Sequence, residues 1–312
     1  MSVYTNIEPS ELEDFLNNYS LGALSNYEGI NAGIENTNYF VSTDSGEFVL
    51  TIFEEIGFDT LPYYLNFMAH LSDYGMPTAH PVADNKNNYV RVLKDKPAAI
   101  VRRLEGKNVL QPEAAHCSAI GHALAQMHTI GQSFDGVLEN PRGIAWTEKT
   151  ADRVFSQLSN NEQSLLKQEM NFRKQVPTND LPKGVVHADL FRDNAMFKDQ
   201  NLTGIIDFYY ACNDYLLYDL AVTVNDWCSE ESGELNISLY DALINAYKAE
   251  RAFQAQEIEA WHYMLRAAAL RFWLSRLQDK IFPKDGEITH ILDPDVFKNI
   301  LLSRINNPPS LA

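Results

Sequence analysis

Gly184-Val185-Val186-His187-Ala188-Asp189-Leu190-Phe191-Arg192-Asp193-Asn194 is the stretch on which the reading of this chain turns. A short apolar run leads into a histidine, an aspartate follows two positions on, and an asparagine comes five after that. Thirteen residues beyond Asn194, a second apolar run, Gly204-Ile205-Ile206, ends in Asp207-Phe208. Two carboxylates and an amide oxygen are thus delivered at the ends of two short strands. That is a hard-oxygen donor set of the kind a small divalent cation prefers.

The first run has the H-x-D-L-x-x-x-N spacing of a kinase catalytic loop. Phosphoryl transfer needs little covalent help from a protein. It needs a nucleophile held in line and neutralisation of the charge that builds on the phosphates. Asp189 fits as the base at the acceptor hydroxyl, and Asn194 and Asp207 fit as ligands of magnesium. His187 belongs to the same catalytic group and reads as a brace for the loop rather than a proton carrier.

Upstream of this centre the chain is rich in strands. Ser10 and Glu13 suggest a capping box opening a helix from Glu11 to about Tyr19. Ala23 to about Glu54 reads as strands, with Asp44-Ser45-Gly46 as a hairpin turn. Thr60 to Tyr74 has helical spacing and stops at Gly75, with Pro77 just beyond. Strands are expected near Tyr89–Leu93 and Ala98–Arg102. Helix occurs once among these strands, which gives α+β rather than alternating βαβ order. Pro112 then opens a helix from Glu113 to about Ile130, a helical stretch follows near Thr147–Val176, and strands fall around Val185 and Ile205 before helices to the end. Arg103-Leu104-Glu105-Gly106 reads as a hinge, dividing the chain into lobes 1–103 and 104–312.

Composition narrows the function. The chain has 312 residues, 45% of them hydrophobic, which excludes disorder. A net charge of −17 argues against a nucleic-acid partner. No apolar run approaches the length of a membrane span, and the N-terminus lacks signal-peptide character, so a cytoplasmic protein is expected. Cys117, Cys212 and Cys228 are too scattered for a disulfide framework or a zinc site. The spacing of His116, His122 and His128 spreads them over different helix faces, against a metal cluster. Nothing implies a protein partner.

The catalytic loop, the Ile205-Ile206-Asp207-Phe208 strand, Leu124-Ala125-Gln126-Met127-His128 and Tyr218-Asp219-Leu220-Ala221 together resemble the aminoglycoside phosphotransferase and choline kinase superfamily. Closer matches to its homoserine kinase branch are Gly33 to Phe40, Phe48-Val49-Leu50-Thr51, Asn225-Asp226-Trp227-Cys228 and Ala267 to Leu277. The resemblance implies a protein-kinase-like two-lobe fold, ATP and Mg2+ as cosubstrate and metal, and transfer of phosphate to the hydroxyl of L-homoserine in threonine biosynthesis. It places Gly33, Asn36 and Asn38 over the ATP phosphates, a role that a glycine and turn N–H groups suit. Residues 1–103 become the nucleotide lobe and 104–312 the catalytic and acceptor lobe. Adenine is expected near Val101–Leu104.

One position departs from the common kinase pattern. The third strand usually carries a lysine for the α/β-phosphates; here Thr51 stands there, with Val49 on the same face towards adenine. The following helix lacks the glutamate that such a lysine pairs with. Arg91, Lys94 and Arg103 are candidates for the missing charge, and Arg103 is grouped with the nucleotide-binding residues.

For the acceptor, Asn225-Asp226-Trp227 is read as following a short helix and offers polar groups beside an aromatic wall, and Met264 to Leu277 reads as an apolar helix interrupted by Arg266, Arg271 and Arg276. Arg271 is assigned to the homoserine carboxylate, and Asp226 to its ammonium or to a supporting hydrogen bond. Trp261, Trp273, Tyr209 and Tyr210 could build a choline cage, but helical core packing explains Trp261 and Trp273 more simply. Choline, an aminosugar or another small alcohol remains the alternative acceptor, and a non-catalytic nucleotide-binding regulator the alternative class.

Overall fold

Asp44 and Ser45 turn the chain between two eight-residue strands, β2 and β3, and the first unit is built around that hairpin. The computed structural model describes residues 4–30, 36–175, 180–283 and 291–311. They fall into two units, residues 1–106 with 203–209, and residues 107–202 with 210–312. The division thus lies at Gly106, and the segment carrying Asp207 returns to the first unit.

The first unit runs α1 (Pro9–Leu16), β1 (Leu24–Gly29), β2 (Asn36–Thr43), β3 (Gly46–Phe53), α2 (Leu61–Asp73), β4 (Arg91–Leu93) and β5 (Lys96–Arg102). The strands form one antiparallel sheet in the order β1-β2-β3-β5-β4. Strand alternation splits it into two faces. Tyr39, Val41, Phe48, Leu50, Ile52, Ala98 and Ile100 bury one face together with Leu12, Phe15 and Leu16 of α1. Truncating a side chain as fully buried as Leu12 or Leu50 would cost about 2–5 kcal/mol.

Helix α1 begins earlier than expected. Its N-cap is Glu8 rather than Ser10, and the Glu8 N–H donates to Glu11 Oε2 at 2.8 Å. Pro9 explains the shift, because its fixed φ suits the first helical position and its missing N–H is not needed there. Helix α2 ends as expected at Gly75, which takes φ +82°. Its Phe67 meets Phe208 edge-on, with 5.9 Å between ring centroids.

The second unit contains α3 (Ala114–Ile130), α4 (Ile144–Phe155), α5 (Asn160–Arg173), β6 (Lys183–Val186) and β7 (Ala195–Lys198). After β8 (Asn201–Ile205), whose end lies in the first unit, come β9 (Cys212–Tyr215), α6 (Leu216–Trp227), α7 (Ile237–Glu250), α8 (Ala255–Ile281) and α9 (Pro294–Asn306). The single helical stretch expected near 147–176 is two helices, because Ser159 caps a new one through a reciprocal box with Glu162. Helices α3 and α7 pack so closely that a Cβ on Gly121 would meet Leu243 O at 2.1 Å. Helix α8 is 27 residues long and mostly buried, with α6 and α9 against it. No helix among the described residues is long and apolar enough to cross a membrane.

Candidate active site

Strand β6 pairs antiparallel with β9, from Lys183–Tyr215 to Val186–Cys212, and releases the chain into the loop His187–Asn194. Ala188 takes φ +62°, a conformation that L-residues with a side chain rarely hold without help. The help comes from Asp219, in the first turn of α6. Its Oδ2 accepts the His187 N–H and its Oδ1 the Ala188 N–H, both at 2.7 Å. His128 of α3 meets the same carboxylate through Nε2 at 3.0 Å, and its Nδ1 lies 2.7 Å from the Tyr247 hydroxyl. Burial raises the Tyr247 pKa well above its ordinary value, so the hydroxyl keeps its proton. A hydroxyl proton directed at Nδ1 leaves Nε2 to donate to Asp219.

The rest of the loop is held as firmly. Asn194 Nδ2 donates to the Asp189 carbonyl at 2.8 Å and to Asp189 Oδ2 at 3.3 Å, orienting the carboxylate proposed as base. Asn108 Nδ2 donates to the Asp193 and Ala195 carbonyls at 2.6 and 3.2 Å. Phe191 stacks on Phe297 and tilts against Phe272.

Two acceptor assignments do not survive this geometry. Asn225-Asp226-Trp227 forms the last turn of α6 rather than following a helix. Trp227 is 0% exposed, and its Nε1 donates to the Leu190 carbonyl at 3.1 Å. It is an internal prop for the loop, not a wall against solvent. Asp226 accepts from the Arg192 N–H at 2.8 Å and from Arg192 Nε at 3.1 Å, so its charge is already matched. Core packing holds for the tryptophans, as expected: Trp261 and Trp273 are buried in α8, and Trp261 donates to the Tyr240 hydroxyl at 2.9 Å. Arg271 lies in the same unit as Asp189, whose charge acts on it.

In the first unit, the sheet face opposite α1 carries two rows. Phe40, Val49 and Val101 are cross-strand neighbours, an apolar row in which Phe40 and Val49 are only half-buried. Asn38, Thr51 and Ala99 form the next row. Thr51 Oγ1 donates to Asn38 Oδ1 at 2.7 Å, and the Tyr209 hydroxyl also hydrogen-bonds Thr51. With its single proton used on Asn38, Thr51 receives the proton of Tyr209. The threonine is thus tied to both neighbours and supplies no charge. Asn36 Oδ1 accepts the Glu54 N–H at 3.4 Å, while Gly33 lies outside the described residues. Asp207 follows β8 with φ +60°, a second strained backbone at a residue singled out by the sequence.

None of the three candidates for the missing lysine is uncommitted. Arg91 pairs with Asp84 at 2.6 Å, and Lys94 pairs with Glu11. Arg103 lies 3.9 Å over the Phe40 ring and 3.6 Å from Glu47.

Residues 26–255 match the family described as the phosphotransferase enzyme family. The chain belongs to that family. Curated relatives agree over nearly the full length. A protein of Methylobacillus flagellatus called homoserine kinase is 45% identical, covering 96% of this chain and 94% of its own. One of Neisseria meningitidis with the same name is 41% identical, covering 97% and 99%. Among solved structures, an amicoumacin kinase superposes with a TM-score of 0.71 at 15% identity over 98% of this chain and 95% of its own. Choline kinase of Cryptosporidium parvum gives 0.66 at 13% identity over 96% and 95%. These distant likenesses establish the protein-kinase-like fold.

As a phosphotransferase, the chain has loop supports that sequence reasoning quoted only as motif matches. His128 and Asp219 stood in recognisable runs, so the signal was present without the role. Arg192 and Tyr247 carried no local signal, because the Arg192–Asp226 and Tyr247–His128 partners are 34 and 119 positions apart.

Proposed function

We propose that this phosphotransferase moves the γ-phosphoryl group of ATP to the side-chain hydroxyl of L-homoserine, forming O-phospho-L-homoserine on the route to threonine. The observation that carries the reading is near-full-length identity of 39–45% to relatives all called homoserine kinase.

In this mechanism Asp189, held by Asn194, orients the acceptor hydroxyl and accepts its proton as the bond to phosphorus forms. Transfer is direct and in line, without a phospho-enzyme. The half-buried row Phe40–Val49–Val101 offers adenine an apolar surface, and Gly33, Asn36 and Asn38 take the phosphate-loop roles that family membership suggests. With both amide hydrogens of Asn194 turned towards Asp189, its Oδ1 is left as an acceptor. That amide oxygen and the Asp207 carboxylate are hard-oxygen donors of the type that would hold Mg2+. When bound, Mg2+ would neutralise charge on the β- and γ-phosphates. With a soluble amino acid and ATP as substrates the enzyme would work in the cytoplasm, and nothing in the reaction requires a protein partner.

Coupled ADP release with Mg-ATP tests the reading, comparing L-homoserine, choline, an aminoglycoside and no acceptor. Release dependent on homoserine and abolished in Asp189→Asn is expected. Robust turnover of choline without homoserine would discard the acceptor, and no acceptor-dependent release from ATP-binding protein would discard the enzyme.

A further inference from the structure

Three arginines, Arg266, Arg271 and Arg276, punctuate the buried helix α8. Two have evident partners. Arg266 forms a bidentate pair with Glu169, at 2.6 and 3.0 Å, and Arg276 Nη1 donates to the Asp293 carbonyl at 3.1 Å. Arg271 is 4% exposed, yet among the described residues it has neither a hydrogen bond nor an ion pair. Its guanidinium lies 3.8 Å from the Phe272 ring centroid and 5.7 Å from that of Tyr210.

A second guanidinium shares that tyrosine. Arg142 lies 4.6 Å from the Tyr210 ring centroid and donates to its hydroxyl at 3.0 Å and to Ser275 Oγ at 3.1 Å. Ser275 stands one turn beyond Arg271 on α8. The turn that presents Arg142 is itself fixed, since the Arg142 N–H donates to Asn140 Oδ1 at 2.8 Å and Asn140 Nδ2 donates to Asp214 at 2.6 Å. Neither arginine has a carboxylate partner among the described residues. Burial and then the charge of Arg142 lower the Arg271 pKa, against the opposing pull of Tyr218, Asp189 and Tyr210. Two cations flanking one ring, one of them buried, form a costly arrangement that an anion would relieve. Arginine is suited to taking a carboxylate in a fork of parallel hydrogen bonds.

We propose that Arg271 and Arg142 together bind the α-carboxylate of the amino-acid acceptor, one guanidinium from α8 and one from the turn before α4, within the unit that carries Asp189. The inference rests on the homoserine reading and deepens it, naming the groups that select an amino acid over a simple alcohol. It keeps the assignment of Arg271 to the carboxylate expected from sequence and adds Arg142, while Asp226, expected at the ammonium, is engaged by Arg192.

The test compares L-homoserine with L-homoserinol, in which a hydroxymethyl group replaces the carboxylate, in the wild type, Arg142→Gln and Arg271→Lys. Each substitution should raise the KM for homoserine by about 10- to 100-fold, the loss of a charge-assisted contact, with the KM for Mg-ATP little changed. The preference for homoserine over homoserinol should shrink by a similar factor. An unchanged homoserine KM, or equal losses with both acceptors, would overturn the inference; the second result would assign the arginines to phosphate. Should Arg271→Lys fail to fold, Arg142→Gln decides alone, since Arg142 is only half-buried. Absence of homoserine turnover in the wild type would overturn the proposed reaction, and this inference with it. Wild-type turnover with unaffected variants would overturn the inference alone.

Discussion

Asp219 accepts the Ala188 N–H at 2.7 Å while Ala188 stands at φ +62°. The carboxylate thus stabilises a backbone conformation that costs of order 1–3 kcal/mol, one residue before Asp189, the proposed base. Asp219→Asn keeps the shape but puts an NH2 group opposite one of two N–H donors. The expected result is a kcat lowered by about 100-fold, from a misplaced loop, with the KM for Mg-ATP nearly unchanged. Steady-state kinetics on both substrates would check it, and an equal rise in both KM values with normal kcat would contradict it.

Further from the chemistry, Tyr247→Phe removes the proton that sets the His128 tautomer. A stability loss of about 1 kcal/mol is expected, together with a smaller fall in kcat than for Asp219→Asn. Denaturant unfolding alongside kinetics reads both effects. Adding His128→Gln to the variant should cost less than His128→Gln alone, because the two residues act through one contact.

Trp227 separates a loop prop from an acceptor wall. Trp227→Phe leaves the Leu190 carbonyl without its donor, so stability should fall by about 1–3 kcal/mol. The homoserine KM should stay within about twofold, a change too small for a lost substrate contact. A large KM increase at unchanged thermal stability would restore Trp227 to the substrate site.

Acid sensitivity should reside partly in Glu54, which ties Thr5 and Thr37 to Lys96 of β5. Burial works to raise its pKa, but Lys96 and the two hydroxyls prevail and hold the carboxyl below its ordinary value of 4.5. A depressed carboxyl pKa stabilises the fold above the unfolded value and loses that contribution as pH falls through the native one. The wild-type advantage in melting temperature over Glu54→Gln should therefore be full near neutrality and shrink below about pH 4.5. A gap that stays constant down to strongly acid pH would contradict this.

The sequence was most legible where chemistry dictates spacing. Asp189, Asn194 and Asp207 stood out as candidates because phosphoryl transfer restricts both residue type and order, and Asn194 does meet Asp189. The hairpin at Asp44-Ser45 was readable because alternation and turn composition are local. Helix α1 was misplaced by two residues because Glu8 and Pro9 make as good a start as Ser10, and local rules do not rank them. Trp227 was misread for a different reason. An aromatic beside two polar residues looks like a binding wall until α6 is known to turn it onto Leu190. Arg142 was invisible, as an arginine in an Asn-Pro-Arg-Gly turn acquires meaning only from Tyr210 and Ser275, 68 and 133 positions away.

The return of residues 203–209 to the first unit also sets an order of events on the ribosome. Ile205 N donates to the Pro77 carbonyl at 2.9 Å, and Phe208 covers Phe67, so this small unit lacks part of its interior until that segment has been synthesised. Residues 107–202 must be added first, which takes about 5–20 s at ordinary elongation rates. During that interval Phe67 lacks the ring that meets it in the finished fold.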